Sequence, residues 1–216
     1  MLEFNLLQKI IIYATPVLFA ITVHEVAHGW IASKLGDQTA RMMGRLTLNP
    51  IKHVDPVGTI IVPIVMLMLS PFILGWAKPV PVDWRNLRRP RQDMAWVALA
   101  GPGSNLLMMI LWALLAKIII VSGLGNYNYA VPFIAMAMVG ITINIVLMVL
   151  NLIPIPPLDG SRIVSALLPP RTAAQYNRLE PYGLMIVLLL LFSGILGRFF
   201  FPVVDFFTSA VKSLIL

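Results

Sequence analysis

The chain has 216 residues, of which 59% are apolar and 12% charged, with a mean hydropathy of +0.88; a soluble domain carries about a quarter charged residues, so composition excludes an ordinary soluble globule. The formal net charge of +7 does not argue for nucleic acid, because the arginines fall in short stretches between apolar runs, as the positive-inside bias requires. Cysteine is absent, which excludes disulfides and any thiolate-based zinc or redox centre.

Crossing a bilayer takes roughly 20 apolar residues, and five apolar segments stand out. The expected fold is therefore all-α and polytopic, one integral-membrane domain over residues 1–216. The opening MLEFNLLQKI lacks a basic n-region, and no small-residue cleavage site follows a short apolar core, so no cleaved signal peptide is expected. The first segment runs from about Leu6 to Leu35 and contains ITVHEVAHGW, residues 21–30. Three ionisable groups lie there inside an apolar run. Such groups are costly in a membrane segment and mark function more often than packing.

Lys34, Arg41, Arg45 and Lys52 follow, and Lys78, Arg85, Arg88, Arg89 and Arg91 follow the second segment, about Val57 to Trp76. Both basic stretches read as cytoplasmic. A full crossing by the second segment would separate them, and Pro63, Ser70 and Pro71 interrupt it. The segment is read as re-entrant or partly inserted, since proline removes a donor and clashes in a helix interior; the alternative is a full span at which the charge bias fails once, because membrane helices tolerate proline. GWAKPVPVDW, Gly75 to Trp84, is proline-spaced and cannot be helix. It reads as a short membrane-associated edge strand able to hold an unwound peptide by β-addition, or as a plain loop.

The third segment, Met94 to Val121, carries AGPGSNLL. Its small residues favour close helix packing, and Asn105 is read as part of that packing, with an amide near the site as the alternative. SGLGNYNYA, residues 122–130, is uncharged and carries two tyrosines, as an outer interface does. The fourth segment, Val131 to Leu152, runs into NLIPIPPLDGSR, where three prolines end the helix and Gly160 after Asp159 allows a tight turn. Arg162, Arg171 and Arg178 place the next loop on the cytoplasmic side, so the first and fourth segments end on the same face. The last segment, about Tyr182 to Phe207, is broken by Gly194, Gly197, Arg198 and Pro202.

The chemistry is read from His24-Glu25-Val26-Ala27-His28. On a helix, residues four apart stand one turn above each other, so both imidazoles face one side and Glu25 lies about 100° round from His24. Two neutral imidazoles so placed take two corners of a zinc tetrahedron. Glu25 is badly placed as a ligand but well placed as a general base toward water at an open corner. A catalytic site needs a third ligand. His53 is the only other histidine, and Asp159 offers a carboxylate on the same face by topology. Asn151, eight residues before Asp159, either steers a substrate carbonyl or oxyanion or makes an interhelical amide bond. His53 is an interface loop histidine or a group supporting, or alternating with, the metal ligands.

HEVAH on one membrane helix with NLIPIPPLDG on a later one resembles the site-2 protease family of zinc intramembrane metalloproteases, in its compact prokaryotic branch without PDZ or CBS domains. The likeness covers the chain from the first helix to about Arg162, and the paired motifs are far more specific than either alone. It implies one Zn2+ per chain held by His24, His28 and Asp159, with Glu25 as the catalytic acid/base and Asn151 matching the family asparagine. It further implies a zinc metalloendopeptidase acting on membrane-anchored proteins within or near the bilayer of the cell membrane; the charge bias, which ends the first and fourth segments on one face, puts the site nearer the cytoplasmic side. A metal-ion transporter, or a non-catalytic membrane scaffold, is the alternative. The transporter predicts further acidic or histidine sites along a path, and the scaffold has no need of Glu25.

Overall fold

The computed structural model describes residues 4–69 and 75–215. The helices are α1 (Leu6–Lys34), α2 (Thr39–Met42), α3 (Val62–Leu69), α4 (Pro90–Val121), α5 (Val131–Asn151), α6 (Asp159–Leu167), α7 (Pro170–Asn177), α8 (Gly183–Phe192) and α9 (Ile195–Ile215). Local chemistry starts them where they start. The Asn5 side chain accepts from Gln8 N at 2.9 Å while Gln8 Oε1 accepts from Asn5 N at 3.0 Å, a reciprocal box that satisfies two otherwise unpaired amides of α1. Pro90 opens α4 at a position where its missing N–H costs nothing, and the buried Asp93 accepts from Arg89 N at 2.8 Å.

The centre is a three-helix packing of α1, α4 and α5, with α6 against α4 and α9 against α5. Ile12, Pro16, Ala20, His24 and Ala32 are buried on α1, a stripe recurring every four residues with His28 in the same register. Met109, Ala113 and Ala116 of α4 meet Ala137, Ile141, Ile145 and Met148 of α5, and α9 adds Val204, Val211 and Ile215. Small residues in this seam let the helices approach closely, which is where packing gains lie when the surroundings are themselves apolar. Leu107, Ile110, Leu114 and Ile118 of α4 point outward. An apolar surface of that extent is out of place in water and at home in lipid.

The expectation of five apolar segments is met only in coarser form. Three helices are individually long and apolar enough to cross a membrane, and a bent pair ending in α9 raises this to four. That pair bends by 81° at a break containing Gly194, which sits at φ +74°, within the interruption expected of the last segment. The second segment is described as a six-residue π turn (Pro56–Ile61) followed by eight-residue α3. Ser70 and Pro71 lie outside the described residues.

The expected edge strand is not a strand, and no strand occurs among the described residues. Residues 75–83 are non-helical and held one bond at a time: Trp76 N donates to Gly58 O at 3.0 Å and Lys78 N to His53 O at 2.9 Å. Pro79 and Pro81 have no N–H to continue a ladder, so the stretch forms a strap rather than a sheet. The buried Asp37 anchors its far end, accepting from Asp83 N at 2.8 Å and Asn86 Nδ2 at 3.2 Å.

Candidate active site

His24 and His28 lie on the buried stripe of α1, one turn apart. Their Nε2 atoms are 3.0 Å from each other. Asp159, in the first turn of α6, brings Oδ2 to 3.2 Å from His24 Nε2 and 3.3 Å from His28 Nε2. Asp159 therefore opens a new helix after the proline-rich turn instead of trailing from the end of α5.

The ring tautomers follow from the partners. His24 Nδ1 lies 2.6 Å from Asn105 Oδ1, and His28 Nδ1 lies 2.7 Å from the Val97 carbonyl. Both oxygens only accept, so each Nδ1 carries the proton and each Nε2 presents a lone pair. Two lone pairs and a carboxylate oxygen thus converge, and Asp159 Oδ2 is buried with no other hydrogen-bond partner. Electron-rich atoms packed in this way call for a cation between them. Edges of 3.0–3.3 Å match the ~3.3 Å edge of a tetrahedron with bonds of about 2.0–2.1 Å, the zinc–imidazole length. The donor set fits zinc, and His24, His28 and Asp159 are the cluster of three metal-capable side chains found among the described residues.

Helix α4 runs antiparallel to α1 across this site, with Asn105 opposite His24 and Val97 opposite His28. Between them, Gly101 allows the close approach: a Cβ there would stand 2.4 Å from His28 Nε2 and 2.5 Å from His24 Cε1. Glu25 is held from the other side. Its Oε2 accepts the Val80 N–H of the strap at 2.8 Å. Between Pro79 and Pro81, which have no N–H, Val80 supplies the amide. Gly29, one turn beyond Glu25, makes the notch for the strap, since a Cβ on it would come 2.7 Å from Val80 Cγ1.

His24, Glu25, His28, Asn151 and Asp159 all line one cavity of about 710 Å3 between α1, α5, α6 and the strap. Asn151 spends one amide N–H on Leu147 O at 2.9 Å. At the cavity edge the Arg162 guanidinium lies 4.6 Å over the Trp84 ring and 3.0 Å from the Glu180 carboxylate. His53 is not brought into the group. It is buried beneath the strap, where Nε2–H donates to Thr47 O at 2.9 Å. Sequence reasoning favoured packing for Asn105 and for the small residues around Gly101, and passed over Asn144 and Val80. The one available signal was AGPGSN, a polar amide one turn beyond a glycine on an apolar helix.

Such an arrangement can bind a divalent ion, present a carboxylate to a water beside it, and admit an unwound peptide. Comparison with known proteins points the same way. The family model "Peptidase family M50" matches residues 115–194. "Putative zinc metalloprotease YwhC" of Bacillus subtilis (strain 168) is 40% identical over 183 residues, covering 84% of this chain and 80% of that protein. "Putative zinc metalloprotease Rip2" of Mycolicibacterium smegmatis is 30% identical over 191 residues, covering 88% and 70%. The protein of the same name from Mycobacterium tuberculosis (strain H37Rv) is 28% identical over 187 residues, covering 87% and 69%. No solved structure matches the chain.

Proposed function

The chain belongs to peptidase family M50 and is an intramembrane zinc protease, and from that premise we propose that His24, His28 and Asp159 hold its zinc and that Glu25 is the general acid/base. The observation carrying this reading is the convergence of two Nε2 lone pairs and one carboxylate oxygen within 3.3 Å, in a cavity that Glu25 also lines. When bound, zinc supplies Lewis acidity to the scissile carbonyl and to the hydrolytic water. Glu25 takes the proton from that water and returns it to the leaving amine. The Val80 amide on Oε2 orients the carboxylate and leaves Oε1 for the water. Asn151 keeps a second amide N–H for a substrate carbonyl.

The substrate in this reading is a membrane-anchored protein whose helix unwinds before cleavage, because amides paired inside a helix cannot reach the site. The strap is the surface we assign to the unwound segment. Its proline positions offer carbonyls without N–H groups, so a bound peptide donates to them. His53 acts by tying the loop from Thr47 to the strap. Residues 1–216 act as one protease domain, supported by the shared packing of α1, α4, α5, α6 and α9. The protein is multi-pass in the cell membrane with its site nearer the cytoplasm, supported by the basic stretches that follow α1 and precede α4.

The test is metal content and cleavage measured on the same preparations. Glu25→Gln is expected to keep stoichiometric zinc and lose proteolysis; retained cleavage would remove Glu25 from the mechanism. Asp159→Ala is expected to lower zinc content, and unchanged stoichiometry would mean a different third ligand.

A further inference from the structure

Behind His24 the hydrogen bond to Asn105 continues. Asn105 Nδ2 donates to Asn144 Oδ1 at 2.9 Å, and Asn144 Nδ2 donates to the Gly140 carbonyl at 2.8 Å. Both asparagines are fully buried and His24 is 7% exposed, so the chain is closed off from water. It links α1, α4 and α5 at one level of the bundle. We propose that Asn105 and Asn144 are positioning residues that set the tautomer and orientation of His24. The proposal rests on the reading of His24 as a zinc ligand.

The direction of the chain is decided at its far end. A backbone carbonyl can only accept, so Asn144 must turn Nδ2 toward Gly140 O and its own oxygen toward α4. That oxygen needs a donor, which obliges Asn105 to present Nδ2. Asn105 so turned offers Oδ1 to His24, which must then be protonated at Nδ1. The lone pair is left on Nε2, facing His28 Nε2 and Asp159 Oδ2. Reversing any link sets oxygen against oxygen or N–H against N–H in a buried place, where an unmade bond is costly. His28 needs no such relay, because the Val97 carbonyl holds it directly. One ligand is therefore fixed by backbone and the other by two side chains, and only the second can be altered by substitution. Packing alone accounts for close helices at this level. It does not account for two amides whose orientations agree link by link with a bare Nε2.

The experiment measures zinc affinity of the detergent-purified full chain by competition with a chromophoric chelator, and the imidazole tautomer of His24 by 15N NMR in the zinc-free protein. Asn105→Leu is expected to weaken zinc about 10- to 100-fold, the usual cost of losing a partner behind a metal-bound imidazole. Asn144→Leu is expected to weaken it about tenfold, because Asn105 is then free to turn. Asn105→Asp is expected to weaken zinc less than Asn105→Leu, since a carboxylate oxygen still accepts from His24 while its second oxygen is set against Asn144 Oδ1. In the Asn105→Asp background, Asn144→Leu should cost nothing more. The wild-type spectrum should show Nδ1–H, and the leucine variants should shift toward Nε2–H.

Wild-type affinity in both leucine variants, or an equal cost of Asn144→Leu in both backgrounds, would overturn the relay. An Nε2–H tautomer in wild type would do the same even if the leucine variants fail to fold. His24→Ala separates the two levels of the argument. If it retains full zinc, the assignment of the site itself is wrong. If it loses zinc while Asn105→Leu does not, only the relay is wrong.

Discussion

Gly101→Ala isolates the close approach of α4 to the two histidines. The added methyl would stand 2.4 Å from His28 Nε2 and 2.5 and 2.6 Å from His24 Cε1 and Nε2. Ordinary contact begins near 3.4 Å, so the rings or the helix must give by about 1 Å. The rings cannot turn aside freely, because their Nδ1 atoms are held by Asn105 and by the Val97 carbonyl. A zinc–nitrogen bond of about 2.0–2.1 Å does not stretch by half its length. Disturbing the support of a metal-bound imidazole costs about 10- to 100-fold in metal affinity, up to about 2.7 kcal/mol. Helix propensity pulls the other way, since alanine is favoured over glycine by about 1 kcal/mol in a helix interior. Overpacking offsets that by about 1–3 kcal/mol. The zinc-free variant is thus expected to unfold within about 2 kcal/mol of wild type while zinc affinity collapses and cleavage disappears. Chelator competition and denaturant unfolding of the zinc-free protein separate the two effects. A Gly101→Ala protein binding zinc at wild-type strength would refute the claim that this glycine makes room for two histidines that hold the metal in the proposed site.

Val80→Pro deletes the amide that holds Glu25 Oε2 and keeps the strap extended. Hydrogen bonds to charged groups are worth about 1.5–3 kcal/mol, so kcat should fall roughly 10- to 100-fold with zinc content unchanged; an unaltered kcat would free Glu25 from the strap. Asp37→Asn should destabilise the protein by about 1–3 kcal/mol, because the amide cannot accept from Thr39, Asn86 and Asp83 together. Burial raises the Asp37 pKa, but the bonds from Thr39, Asn86 and Asp83 outweigh it and hold the group below its ordinary value. A folded-state pKa depressed below the unfolded one gives stability that is full above about pH 4 and is lost as pH falls through the folded pKa. Acid unfolding monitored by circular dichroism should therefore be less steep below about pH 4 in Asp37→Asn, and identical acid limbs would count against the anchor.

Much of this molecule was legible from one dimension because its physics is local. The period of a helix places His24 over His28 and turns Glu25 aside, whatever the rest of the chain does. An apolar run of about 20 residues demands a bilayer or a core, and the prolines between Asn151 and Asp159 must end a helix. What depended on packing was not legible. Asn105 reads as an ordinary amide until α4 sets it against His24, 81 positions away in sequence. Val80 is a residue in a proline-spaced loop until Gly29 admits it to Glu25. The proline pattern of residues 75–84 suggested an edge strand because spacing reports which amides are missing. Whether the remaining donors meet another strand, a carbonyl or a carboxylate depends on which surfaces come together. Local backbone geometry thus determined the pair of imidazoles and the turn before Asp159, whereas tertiary contact decided the tautomers, the clearance at Gly101 and the hold on Glu25. Hydrogen-bond direction and steric clearance belong to pairs of surfaces, and the sequence order of the residues does not contain them.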